Sequence, residues 1–250
     1  MQIGYLVSIE NEPLASRVVL EIGSGRGNTT RELVDLLSGQ AGARLIVTDI
    51  SDTFFQQLRD EFQARDVKIQ FACTGAHELH DIPNNSVDYV VCNYTLCAVN
   101  SQAGLVALAV RRFWEVLKAG GKLFAEEEFP TSRQDTVAQE IWAEKWRILK
   151  SAMILAGKFP YNEIEPGMLH DLCRLSGFER TRWTAHTRVF RDANVLDFSQ
   201  KRLDALLTQL PNESLRAGFA ELAAMLHNKA SQVGAMEVPF YRLTAQKGAG

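Results

Sequence analysis

A chain of 250 residues, 46% of them apolar, can bury a full core, which excludes a disordered or fibrous protein and fits one large domain or one domain with a helical addition. Its 27 basic and 30 acidic residues give a net charge of −3, so nothing general draws it to nucleic acid or to an anionic membrane surface. The amino-terminal "MQIGYLVSIENEPLAS" lacks the parts of a signal peptide, and no apolar run approaches the ~18 residues of a membrane span. Cys73, Cys92, Cys97 and Cys173 match neither a CxxC pair nor a secreted disulfide framework, and so read as reduced thiols with no metal role. A soluble, cytoplasmic protein is expected.

From Val18 onward, apolar runs of strand length alternate with amphipathic runs of helix length, the pattern of right-handed βαβ units in a parallel sheet. Strands are predicted at 18–22, 44–49, 67–73, 87–92 and 122–126. Helices are predicted at 29–37, where Leu33, Leu36 and Leu37 share a face, at 52–62 with Phe55, Leu58 and Phe62, and at 105–117, which "KAGGK" is expected to end with glycine. Beyond "EEEFP", residues 132–156 read as one long helix carrying Trp142, Trp146 and Met153. "EPGMLHDLCRLSGF" has proline at its start and glycine after its end, as a helix prefers, and leads into a strand at 178–184. Helices at 196–210 and 214–232 and a final strand in "VPFYRLTAQK" complete the chain. No repeat or linker interrupts it, so a single domain over 1–250 is expected, with a ligand-binding half at 1–130 and pocket-forming helices and last strands at 131–250.

The first strand runs into "EIGSGRGNTT". A strand, a tight glycine turn and a helix form the ligand corner of an open α/β sheet, where missing side chains let a cofactor approach the backbone. After Gly27 come Asn28 and Thr29, not the GK[ST] ending of a phosphate loop. Gly23, Gly25 and Gly27 form GxGxG, one position short of the dinucleotide fingerprint, and Glu21 precedes them. A buried carboxylate there repels a pyrophosphate but can accept charge-assisted hydrogen bonds from a cationic ligand. Asp49 ends the next strand, where a carboxylate can take both hydroxyls of a ribose.

With these residues in place, "LEIGSGRGNTT", "VTDIS", "HDIPNNSVDYVVCNYTLCAV" and "RFWEVLKAGGKLFAEEE" resemble, in order, the motifs of the class I S-adenosylmethionine-dependent methyltransferases, nearest in flavour to the ubiquinone and menaquinone type. The resemblance covers roughly 18–128. It implies a Rossmann-like, doubly wound, seven-stranded α/β sheet, mostly parallel with one antiparallel strand at 241–247, and helical insertions near the C-terminus. It further implies that Gly23, Ser24, Gly25 and Gly27 lie against the methionine part of S-adenosylmethionine with Glu21 near its ammonium. Asp49 would bind the ribose, Ile50 the adenine, Ala76 and His77 the far side of the adenine, and Asn93 the methionine carboxylate region. The aspartate common after the third strand is absent, Gly75 or Ala76 standing in its place. With only 17 residues before Val18, part of the lid such enzymes carry is expected from elsewhere in the chain.

No catalytic residue is singled out, since methyl transfer from a sulfonium is an in-line displacement that positioning and water exclusion can drive. His77 and His80 can act near pH 7, but the plainer reading is an adenine neighbour and a surface residue. His170, His186 and His227 read as packed or solvated. Glu126 and Glu128 alternate onto one side of the fifth strand and Glu127 onto the other; the first two either favour a cationic acceptor or form a solvated rim. Trp142 and Trp146 either line an acceptor pocket or simply pack, Tyr5 either folds over the sulfonium or frays, and Cys97 reads as a small buried hydrophobe rather than a nucleophile. The chain lacks an NPPY motif and a convincing magnesium ligand set. The expected reaction is methyl transfer to a small-molecule acceptor by a monomer or homodimer without nucleic-acid or membrane partners; the rivals are an RNA or protein methyltransferase and a protein of this fold that binds the cofactor without transferring methyl.

Overall fold

In the computed structural model, which describes residues 9–102, 104–191 and 196–249, the strands are β1 (Val18–Ile22), β2 (Arg44–Asp49), β3 (Lys68–Cys73), β4 (Val87–Asn93), β5 (Leu117–Glu128), β6 (Phe178–Phe190) and β7 (Met236–Lys247). They form one sheet in the order β3-β2-β1-β4-β5-β7-β6. The first five pair in parallel, so the order reverses between β1 and β4, and the C-terminal ends of those two strands open the crevice where such sheets take ligands. β7 is the antiparallel member: Gly120 N donates to Gly248 O, and Phe129 N to Pro239 O, both at 3.1 Å, so numbering falls along β7 as it rises along β5. The seven-stranded, mostly parallel Rossmann-like sheet is as expected.

The helices are α1 (Asn28–Leu37), α2 (Phe55–Phe62), α3 (Leu96–Val99), α4 (Leu105–Val116), α5 (Val137–Leu155), α6 (Pro166–Leu175), α7 (Asp197–Leu207) and α8 (Glu213–Val233). By contacts the chain divides into two compact units, one of Met1–Glu127, Glu165–Thr184 and Arg242–Gly250, the other of Glu128–Ile164 and Ala185–Tyr241. In the first, every residue of β1 and β4 is buried, as central parallel strands are when helices cover both faces. On one face Val19, Val47, Tyr89, Val91 and Phe124 meet Leu33, Val34 and Leu37 of α1 and Phe55, Leu58 and Phe62 of α2. At about 1.5–3 kcal/mol for each large apolar side chain, this layer dominates the unit's stability. In the second unit, Leu149, Ala152 and Met153 of α5 pack with Leu203 and Leu206 of α7 and Phe219 and Ala223 of α8.

Two boundaries differ from expectation for identifiable reasons. "KAGGK" does not stop a helix. It lies inside β5, which begins at Leu117, and it accommodates a bulge: Val87 pairs with Leu117 but Tyr89 with Lys122. Gly121 is needed there because a Cβ would sit 2.9 Å from the Asp88 and Lys118 carbonyl oxygens. The long helix starts at Val137, not Ser132, because Thr136 caps it: its Oγ1 accepts from Gln139 N at 3.1 Å, while Gln139 Oε1 accepts from Asp135 N at 2.7 Å. No helix among the described residues is long and apolar enough to cross a membrane.

Candidate functional site

All the predicted site residues fall in the first unit, around the ends of β1, β2, β3 and β4. The glycine loop is pinned to β2: Gly23 N and Ser24 N both donate to Thr48 O, at 2.9 and 3.0 Å, and Gly25 N donates to Asp49 Oδ2 at 2.8 Å. Gly23, Gly25 and Gly27 have φ of 71, 50 and 84°, the left-handed region that favours glycine. Their surroundings differ. A Cβ on Gly23 would lie 2.3 Å from Thr95 Oγ1 and one on Gly27 2.3 Å from Leu58 Cδ2, whereas one on Gly25 meets no protein atom within 4 Å. The loop is thus packed from behind at two glycines and open at the middle one. Gly27 ends it as the N-cap of α1 without a side-chain cap, so the first N–H groups of that helix keep their partial positive charge.

Glu21 is 1% exposed, and neither carboxyl oxygen has a hydrogen-bond partner of good geometry. Burial pushes the carboxyl up to about 8; the Thr30 side chain offsets part of this and the Asp49 charge adds to it. An orphaned buried carboxyl is costly unless something completes it, and a cationic group would do so. Ser24 Oγ is likewise buried without a partner. Asp49 is half-buried, its Oδ1 accepting from Ser51 N at 3.0 Å and its Oδ2 from Gly25, so each oxygen keeps a lone pair for a further donor. Ile50 beside it is 77% exposed. Thr74 N donates to Asp49 O at 2.8 Å and carries the Ala76–His77 turn to the end of β2. Asn93, buried, donates from Nδ2 to Thr29 Oγ1 of α1 at 3.4 Å. These features fit S-adenosylmethionine: an acid for the ammonium, an open backbone at Gly25, a two-oxygen acceptor for the ribose and an exposed apolar side chain beside it. Asp49→Ala is expected to weaken cofactor binding by about 1.5–3 kcal/mol, read by calorimetric titration, because it removes a charged acceptor and frees the loop at Gly25.

Of the weighed histidines, His77 is half-buried with Nε2 3.8 Å from Glu78, His80 is exposed, His170 sits 3.2 Å from Asp171, His227 is exposed, and His186 stacks on Phe240 within the second unit. Tyr5 lies outside the described residues. The solvated-rim reading of the glutamates does not hold. Glu126 is fully buried, accepts from Arg242 Nε at 2.9 Å and from the Tyr94 hydroxyl, and so meets a cation already. Glu128, in the second unit, accepts from both Trp142 and Trp146 indoles at 2.6 and 2.7 Å.

Thr95 escapes sequence reasoning, which places Glu127 on the other side of the fifth strand without a role. Thr95 fills the space behind Gly23, its hydroxyl within hydrogen-bond distance of the Ile22, Gly23 and Asn93 carbonyls. Glu127, buried and raised to about 8 chiefly by burial, accepts from Thr95 N and Leu96 N at 2.8 and 2.6 Å and so anchors the turn after β4. The turn is strained at Tyr94, which has φ of 51°. A signal existed for Thr95 alone, a hydroxyl directly after a strand of the ligand corner.

Residues 19–121 match a family model described as "Methyltransferase domain". The squalestatin tetraketide synthase of Phoma sp. (strain C2932) is 33% identical over 132 residues, half of this chain and 5% of that protein. The chain therefore spans about 5% of the length of the curated relatives it matches. The crystal structure of the [4+2]-cyclase SpnF superposes with a TM-score of 0.61 at 18% identity over 97% of this chain and 79% of its own. Phosphoethanolamine N-methyltransferase 2 of Haemonchus contortus, bound to S-adenosylhomocysteine, does so at 0.56 and 16% identity over 94% and 49%. At such identities the structures speak for the fold, which is the Rossmann-like methyltransferase fold.

Proposed function

We propose that the chain binds S-adenosylmethionine in the first unit and transfers its methyl group to a small-molecule acceptor, giving S-adenosylhomocysteine. The observation that carries this is the pairing of an orphaned, buried Glu21 with a loop open at Gly25 and with Asp49, whose two oxygens keep lone pairs free. The match of residues 19–121 to the methyltransferase domain supports it. S-Adenosylmethionine supplies the electrophilic methyl; the chain's own residues hold the donor, orient it through the pinned loop and keep water away.

The motif likeness to quinone methyltransferases and the tetraketide-making relative support a small organic acceptor; the net charge of −3 supports leaving nucleic-acid and membrane partners out of this reading, which takes a monomer or homodimer as the working unit. The spacings of Cys73, Cys92, Cys97 and Cys173, which match no secreted disulfide framework, support a cytoplasmic setting. A second reading, cofactor binding without methyl transfer, is favoured by the SpnF match, since a protein named as a cyclase carries this fold. Incubation with methyl-labelled cofactor and fractionated cell extract separates them: label in small molecules is expected, label in RNA or protein moves the acceptor class, and cofactor binding with no transfer to any fraction favours the second reading. No heat on titration with millimolar S-adenosylmethionine would sink both.

A further inference from the structure

Three successive amides after β4 are gripped by the end of β5, all within the first unit. Tyr94 N donates to Glu126 O at 2.8 Å, and Thr95 N and Leu96 N both donate to one oxygen of the Glu127 side chain, Oε1, at 2.8 and 2.6 Å. The turn they fix is strained: an aromatic residue keeps the positive φ of Tyr94 only where its surroundings determine it. By strand register Glu21, Val91, Asn93 and Glu126 face one side of the sheet, and Glu127 faces the other. Glu127 is 1% exposed, and its second oxygen, Oε2, is buried without a hydrogen-bond partner.

What this turn presents to the glycine loop is Thr95. Its hydroxyl lies 3.2, 3.4 and 3.1 Å from the Ile22, Gly23 and Asn93 carbonyl oxygens, and a Cβ on Gly23 would lie 2.3 Å from Thr95 Oγ1. Packing this close leaves no slack, so even a small shift of Thr95 either withdraws the support behind Gly23 or pushes on it. The contacts run from Glu127 Oε1 through Thr95 to Gly23, whose own N–H is bonded onward to Thr48 O of β2. Burial raises the Glu127 carboxyl to about 8 against the pull of the Leu96, Thr95 and Cys97 backbone donors, so near pH 7 it is largely protonated and Oε1 serves as a neutral acceptor. An amide oxygen in the same place would serve equally.

We propose that Glu127 is a positioning residue for the methyl donor: from the face of the sheet opposite Glu21 it holds the Tyr94–Leu96 turn, and through Thr95 it holds Gly23 in the conformation that receives the cofactor. This rests on the S-adenosylmethionine reading above. The role depends on reach and on an acceptor oxygen, not on charge, because one oxygen at the right distance from the backbone of β5 must meet two N–H groups. Without it those two N–H groups lose their acceptor in a buried place, and the strained turn relaxes.

The test measures S-adenosylmethionine affinity of the full chain by calorimetry in E127Q, E127D, T95A and E127D/T95A, each shown to be folded by urea unfolding. E127Q should stay within about threefold of wild type, while E127D, which keeps the charge but falls short of the two N–H groups, should lose about tenfold or more. T95A should also be weakened, and the double variant should lose little more than the worse of its singles, because both act on Gly23 through one contact. Should E127D not fold, amide exchange in the wild type decides: the bound cofactor should slow exchange at Thr95 and Leu96 together with Gly23. Equal losses in E127Q and E127D, wild-type affinity in E127D or in T95A, additive losses in the double variant, or Thr95 and Leu96 exchange indifferent to the cofactor would overturn the proposal. A wild type that gives no heat with S-adenosylmethionine would overturn the donor reading and this proposal with it, a failure distinct from those in the variants.

Discussion

Gly25→Ala is expected to abolish measurable S-adenosylmethionine binding while leaving the protein folded. The fold gives the new methyl group room, since no protein atom lies within 4 Å of it, and the positive φ costs alanine about 1–2 kcal/mol. That same room is the approach to the loop backbone that the cofactor requires. Gly27→Ala should behave in the opposite way. Its Cβ would lie 2.3 Å from Leu58 Cδ2, and Leu58 is fully buried in the layer between α2 and the sheet, so it cannot yield without displacing its neighbours. Backbone strain and overpacking together predict a loss of about 2–5 kcal/mol. Urea unfolding and calorimetry on the two variants separate the effects. Near-native cofactor affinity in Gly25→Ala would show that the donor does not lie against this part of the loop.

The stability of the cofactor-free protein should fall as pH rises from about 5 to about 8. Glu21 and Glu127 have carboxyls at about 8 in the folded chain against 4.5 as the ordinary value. Between those values the folded state holds protons that the unfolded chain has released, so their contribution is full below about 4.5 and is lost on the way up to about 8. Each pKa unit is worth about 1.4 kcal/mol, and even with much of the shift relaxed away the total loss should exceed about 2 kcal/mol. Glu21→Gln should flatten the curve by removing one titrating group, and should also weaken the cofactor. An unchanged slope in Glu21→Gln would show that Glu21 ionises in the folded protein as readily as in the unfolded one. Binding of a cationic donor beside Glu21 should draw its carboxyl down again, so calorimetry in two buffers of different ionisation enthalpy should detect proton release near pH 7.

Much of the first unit could be read from local pattern. Strands β1 and β2 and the Gly23–Asp49 corner are short-range features, written in contiguous apolar runs and glycines. What failed depended on partners far along the chain. Alternation placed Glu126 on one side of β5, but only Arg242, on the last strand, makes it a paired acid rather than a rim. Alternation placed Glu127 on the other side of β5 but gave it no role, because that role is set by backbone N–H groups at Thr95 and Leu96. "KAGGK" misled because glycines after a helix usually stop it, whereas here Gly121 serves close strand approach at a bulge. In "TSRQDTVAQ" the Thr136–Gln139 spacing carried the true helix start and was outweighed by the longer apolar pattern.

The hydrogen bond from Gly25 N to Asp49 Oδ2 makes the open glycine loop and the carboxylate at the end of β2 one mechanical part. Removing the carboxylate in Asp49→Ala should therefore also leave the backbone at Gly25 without the acceptor that holds it, although no glycine has been changed. Both ends of this bond are set in the protein without a ligand, so a ligand that used them would not have to order them.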